Sequence, residues 1–161
     1  MPGAATPALT ALVKAGVAHE VVTFDHDPRE RSFGVEAVHA LTERGIAAEQ
    51  IFKTLVVAVP GGLAVAMLPV PARLSLKAAA AALGVAKASM ADPAVAQRAT
   101  GYPVGAVSPF GQRKALPAVV DAGALGWDRV YCSAGRRGWD VGVSPRDLIR
   151  LTGAVTADLT T

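Results

Sequence analysis

The apolar run from Thr54 to Val70 is cut by Pro60-Gly61-Gly62 and meets a second proline at Pro69. That interruption governs what the chain can fold into. A membrane-spanning helix needs about 20 unbroken apolar residues, and a proline inside a helix removes a hydrogen bond and clashes with the preceding turn. Leu55 to Val59 and Leu63 to Leu68 instead have the length of strands on either side of a tight turn. A β-hairpin is predicted here, and a sheet must be built around it. The overall apolar content, 52% with a mean hydropathy of +0.37, comes from Ala and Val rather than from long Leu/Ile/Phe runs, so it adds no case for a membrane.

Helix signals flank the hairpin. Thr6-Pro7 supplies a cap and a first-turn proline for a helix reaching about Gly16. Val17 to Phe24 reads as a strand, and Asp25 to Arg31 as a polar loop. Ser32 opens a helix ending near Gly45, with Val35, Val38 and Leu41 on one face. Ser75 opens another that stops at Gly84, and Asp92-Pro93 opens one ending near Thr100-Gly101. Val104 to Val107, Ala118 to Val120, Arg129 to Cys132 and Val141 to Val143 read as strands, and Ser144-Pro145 caps a last helix. Interspersed helices and strands in 161 residues predict one α/β (α+β) domain over residues 1–161, a mixed sheet surrounded by helices. No Gly-rich strand-to-helix turn marks a doubly wound nucleotide fold.

The charge of +3 and pI of about 9.4 permit a polyanionic partner without requiring one. The single cysteine, Cys132, cannot form an internal disulfide. His19, His26 and His39 show no zinc-ligand spacing, so no metal and no cofactor are expected. The opening MPGAATPALT lacks the layout of a signal peptide, which makes the cytoplasm the expected location.

Four features could carry chemistry. Lys53-Thr54 lies where a helical turn meets the apolar strand; the lysine either caps carbonyls or reaches into a pocket to hold a phosphate or carboxylate. It is no Walker lysine, because Phe52 stands where that motif needs glycine. Gly101 to Gly111, GYPVGAVSPFG, is either a tight connection or a shaped loop whose amides hold a developing oxyanion. Gly135-Arg136-Arg137-Gly138 is either a solvated hairpin tip or a phosphate contact, and Asp140 beyond it could receive an amine. His26-Asp27 form a possible acid–base pair, but no GxSxG elbow accompanies them. Cys132 sits in an apolar strand, where an inert thiol is expected. These are binding groups with no evident protein nucleophile.

Taken in order, TFDHDP (Thr23–Pro28), SFG (Ser32–Gly34), FKTLVV (Phe52–Val57), MADPAVAQRATGYPVGAVSPFGQRKALP (Met90–Pro117) and YCSAGRRGWD (Tyr131–Asp140) resemble the Cys-tRNA(Pro) deacylase (YbaK/EbsC) family of the prolyl-tRNA-synthetase-associated editing-domain superfamily. The match runs from about Thr6 to Leu159. The resemblance implies a barrel-like mixed sheet and a deacylase of mischarged tRNA, with mischarged tRNA and prolyl-tRNA synthetase as partners. It places the family's essential lysine at Lys53, holding the phosphate of the terminal adenosine, and its GxxxP loop at Gly105 to Pro109, with Gly105 and Ser108 supporting the ester. Phe24, Phe33, Thr54, Ser133, Arg136 and Asp140 fall on positions expected to line the pocket. The family's cysteine-specific branch implies attack by the substrate's own thiol; an editor of Ala- or Ser-tRNA, or a non-catalytic accessory, are the other readings. Phe24 stands where that branch commonly has tyrosine, and Ala134 where glycine is common.

Overall fold

The computed structural model describes residues 5–30 and 32–161. Met1 to Ala4 of the opening stretch, and Arg31 at the end of the predicted polar loop, lie outside the described residues. The helices are α1 (Pro7–Lys14), α2 (Phe33–Thr42), α3 (Leu76–Leu83), α4 (Pro93–Thr100) and α5 (Pro145–Thr152). The strands are β1 (Glu20–Thr23), β2 (Phe52–Val59), β3 (Gly62–Pro69), β4 (Ser89–Met90), β5 (Ala118–Asp121), β6 (Val130–Arg136), β7 (Trp139–Val143) and β8 (Val155–Ala157).

The predicted hairpin is the spine. β2 and β3 pair antiparallel from Phe52↔Pro69 to Val59↔Gly62, leaving Pro60-Gly61 as the turn. β4 adds antiparallel to β2, β5 parallel to β3, and β8 parallel to β5, giving a five-stranded sheet in the order β4-β2-β3-β5-β8. The remaining strands form an antiparallel sheet, β1-β7-β6. The mixed α/β class is as expected, but the strands divide between two sheets. A parallel bridge between Ile51 and Tyr131 joins them just before β2 begins. No closed barrel is formed among the described residues.

Four helix starts follow the expected chemistry. Thr6, Ser75, Asp92 and Ser144 each accept from a first-turn amide, and proline follows three of them, each cap contributing about 1 kcal/mol. Ser32 marks the start of α2 but its hydroxyl caps nothing. Leu12, Leu41, Met67, Leu148 and Leu159 are at most 1% exposed, and burying each such side chain contributes about 1.5–3 kcal/mol. Val104 to Val107 is not a strand: the chain turns at Val104-Gly105, where Gly105 takes φ +84, and the stretch is a loop. Among the described residues no helix is long and apolar enough to cross a membrane.

Candidate functional site

A pocket of about 240 Å³ opens where the two sheets and α2 meet. Its lining includes Phe33, Gly34 and Ala37 of α2, Phe52 to Leu55 of β2, Val70, Gly105 and Val107 of the loop, and Ser133 and Asp140 from the second sheet. A recess of about 30 Å³ shares Phe33, Ala37, Gly105, Ser133 and Asp140 with it and adds Phe24, Glu36, Arg136 and Arg137. Residues far apart in sequence thus converge on one concavity. The seam places them: the Ile51–Tyr131 bridge brings the start of β2 alongside β6.

Lys53 caps carbonyls and also lines the pocket. Its Nζ donates to the carbonyls of Ala72 at 2.7 Å and Val70 at 3.2 Å while the side chain lines the pocket. Burial, then the nearby Arg73 charge, push its pKa below the usual lysine range. An ammonium has three donors, so two carbonyls leave one for a ligand. Thr54 Oγ1 is buried with no partner among the described residues, a cost that a ligand hydrogen bond would offset.

Ser133 and Asp140 face each other across β6 and β7. Ser133 Oγ accepts from the Gly135 amide at 3.0 Å. Asp140 is 7% exposed, and burial raises its carboxyl from 3.8 to about 7, because an unpaired carboxylate is poorly solvated there. Asp140 is therefore poised near neutrality to accept a cation or a proton.

The GxxxP loop is held from behind. Tyr102 Oη donates to the Phe110 carbonyl at 2.5 Å, Gln112 Nε2 donates to the Ser108 carbonyl at 3.0 Å, and the Phe110 amide donates to Ser108 Oγ at 3.3 Å. Ser108 and Pro109 are buried in the base of the loop and line neither cavity. Gly105 presents its backbone to the pocket. A Cβ there would lie 2.0 Å from the Phe33 ring, so only glycine permits this approach. Arg137 sits over the Phe33 ring, 4.4 Å from its centroid, and its Nη2 donates to the Val104 carbonyl at 2.8 Å.

Arg136 lies over Trp139 at 4.8 Å. Phe24 donates its amide to the Gly138 carbonyl at 2.8 Å and lines the recess with its ring. Ala134, where the family commonly has glycine, is fully buried in the main core, and no non-glycine among the described residues has positive φ. His26 pairs with Glu36 at 2.7 Å, while Asp27 Oδ1 accepts from the Arg29 amide, so the two make no acid–base pair. Cys132 is 1% exposed, and burial and then Asp140 push its thiol well above its usual pKa. No group of His, Cys, Asp or Glu among the described residues could hold a metal ion. Sequence reading missed Ala37 and Val70. Ala37 was legible as the i+4 neighbour of Phe33 on one helix face; Val70 had no signal, while Val107 belongs to the GxxxP loop already singled out.

A family model described as an aminoacyl-tRNA editing domain matches residues 34–151. An Enterococcus faecalis protein named as a candidate Cys-tRNA(Pro)/Cys-tRNA(Cys) deacylase, EbsC, is 36% identical over 118 residues, covering 73% of this chain and 72% of its own. A crystal structure described as that of a candidate trans-editing enzyme for prolyl tRNA synthetase superposes with a TM-score of 0.83 at 29% identity, covering 96% of this chain and 95% of that one. A hypothetical protein superposes equally well, TM-score 0.83 at 27% identity, over 97% of this chain and all of its own.

Proposed function

From the premise that this chain belongs to the aminoacyl-tRNA editing domain family, we propose that it is a trans-editing deacylase releasing cysteine from mischarged Cys-tRNA(Pro). The observation that carries this reading is the pocket itself: an aminoacyl-sized cavity with a cation, an unpartnered hydroxyl, a carboxyl and a glycine loop on its walls. Lys53 meets the phosphate of the terminal adenosine with its remaining proton. Asp140 receives the substrate α-ammonium, and Thr54 and Ser133 hold the aminoacyl group. Gly105 lets the loop backbone come close to the ester carbonyl.

The pocket hydroxyls of Thr54 and Ser133 have no histidine beside them in the lining, and Cys132 is buried behind the sheet, which favours a nucleophile brought by the substrate. The cysteinyl Sγ attacks its own ester carbon, the ester C–O bond breaks, and the ribose oxygen leaves with the thiol proton. The product is a cyclic thiolactone. A tethered nucleophile needs only orientation, and effective molarities of about 10⁵ M are within reach of that geometry. The relative named as a Cys-tRNA deacylase supports cysteine as the amino acid removed.

One observation favours a second reading. A carboxyl with a pKa of about 7 is matched to general-base work at neutral pH, so Asp140 could activate a water against an alanyl or seryl ester. Deacylation of Cys-tRNA(Pro) and Ser-tRNA(Pro) by the purified protein separates the two. Cysteine loss without serine loss supports thiol assistance; cleavage of both esters supports water. Lys53→Ala should lower kcat/KM about 10- to 100-fold, the worth of a hydrogen bond to a charged group; full retention of activity would remove Lys53 from the site.

A further inference from the structure

Lys53, which lines the pocket, has a second cation close by. The Ala72 carbonyl it binds at 2.7 Å belongs to the peptide that leads into Arg73. The Arg73 carbonyl accepts from the Thr161 amide at 3.1 Å, so this turn is pinned from both sides while the Arg73 side chain is exposed. The guanidinium is close enough to depress the Lys53 pKa beyond the effect of burial.

Neither cation has a carboxylate partner among the described residues; the ion pairs there are His26–Glu36, Arg29–Asp27, Arg129–Glu20 and Arg150–Asp147. Asp140 shares the pocket with Lys53, yet burial alone sets its pKa and no cation draws it down. Asp158, on the segment that pairs near Arg73, accepts from the amide and hydroxyl of Thr160. α3 follows directly with no acidic residue in its first turn, where Lys77 is exposed. Two like charges held side by side repel, and a bound anion would relieve that repulsion.

We propose that Arg73 is a second phosphate-binding residue, taking the phosphodiester one nucleotide upstream of the one met by Lys53. The inference rests on the editing reading, in which Lys53 holds the terminal phosphate. It makes the site a reader of a single-stranded 3′ end at least three nucleotides long. The two residue types suit the two tasks. Lys53 is a compact point charge at the buried end, and Arg73 is a planar fork on an exposed stem that can grip a phosphate with two donors.

The test uses one amino acid esterified to adenosine, CpA and CpCpA, which carry no, one and two of these phosphates. For Arg73→Gln, the expected loss of kcat/KM on the CpCpA ester exceeds that on the CpA ester by about fivefold or more. Because a single-strand phosphate contact contributes about 0.7 to the slope of log affinity on log salt, the CpCpA slope should flatten by about that amount. Arg73→Lys should recover most of the slope. Equal losses on all three esters would mean a structural role and overturn the proposal, as would no loss on any. A wild-type protein that cleaves none of them would sink the editing reading, an outcome separate from either. Thermal melting of both variants establishes that they fold.

Discussion

Asp140 and Gly105 carry the sharpest consequences at the scale of single residues. Well below pH 3.8 the Asp140 carboxyl is protonated in folded and unfolded chains alike. As pH rises from 3.8 to about 7, the unfolded chain gives up its proton while the folded one keeps it. The folded state therefore loses stability through that window, and nothing more above it. Asp140→Asn should remove this loss and raise stability above pH 7 by up to about 4 kcal/mol, read from urea unfolding at pH 5 and 8. If Asp140 holds the substrate ammonium, kcat/KM should rise through an apparent pKa near 7 in the parent, and that limb should vanish in the variant. Gly105→Ala adds a left-handed penalty of roughly 1–2 kcal/mol to a collision with Phe33. Its melting temperature and activity should both fall, and adding Phe33→Ala should return part of the lost stability but not the φ term.

The elements that position the site were unevenly legible in the sequence. Caps and turns could be read because their chemistry is local: Pro60-Gly61 turned the hairpin, and Asp92-Pro93 and Ser144-Pro145 opened α4 and α5. β8 and the two-residue β4 could not, because nothing in Val155–Ala157 or Ser89–Met90 specifies a partner strand, and the pairing is won through non-local contacts. Val104–Val107 has strand-forming residues yet is a loop, since the Gly105 backbone and the Tyr102–Phe110 hydrogen bond override propensity. For the site, Lys53, Thr54, Phe33, Gly105, Ser133 and Asp140 line one cavity, and their convergence on one seam follows from the division into two sheets, which no spacing in the chain announces. Ser108 and Pro109 share a motif with Gly105 and still face inward. The loop makes its own prediction. Tyr102→Phe leaves the buried Phe110 carbonyl unpaired and should cost about 1–3 kcal/mol, with an unchanged denaturant slope and a matching fall in activity if Gly105 shifts.

Across the whole molecule, the pocket is shared between halves of the chain. Phe33, Lys53, Thr54 and Val70 come before the first residue of α3, and Gly105, Ser133 and Asp140 well after its last. Neither half holds the site, so in urea the loss of ester cleavage should coincide with the loss of helical circular dichroism, in one transition; activity lost well before the dichroism would mean that the seam opens by itself. The chain's one thiol follows from the same packing. If cysteine is the amino acid released, an accessible cysteine near the pocket would meet that thiol and its oxidised dimer and be capped by them in mixed disulfides. Cys132, sealed in the core with its proton held tightly, has no thiolate to offer. The folded protein should thus be indifferent to cystine, glutathione disulfide and iodoacetamide.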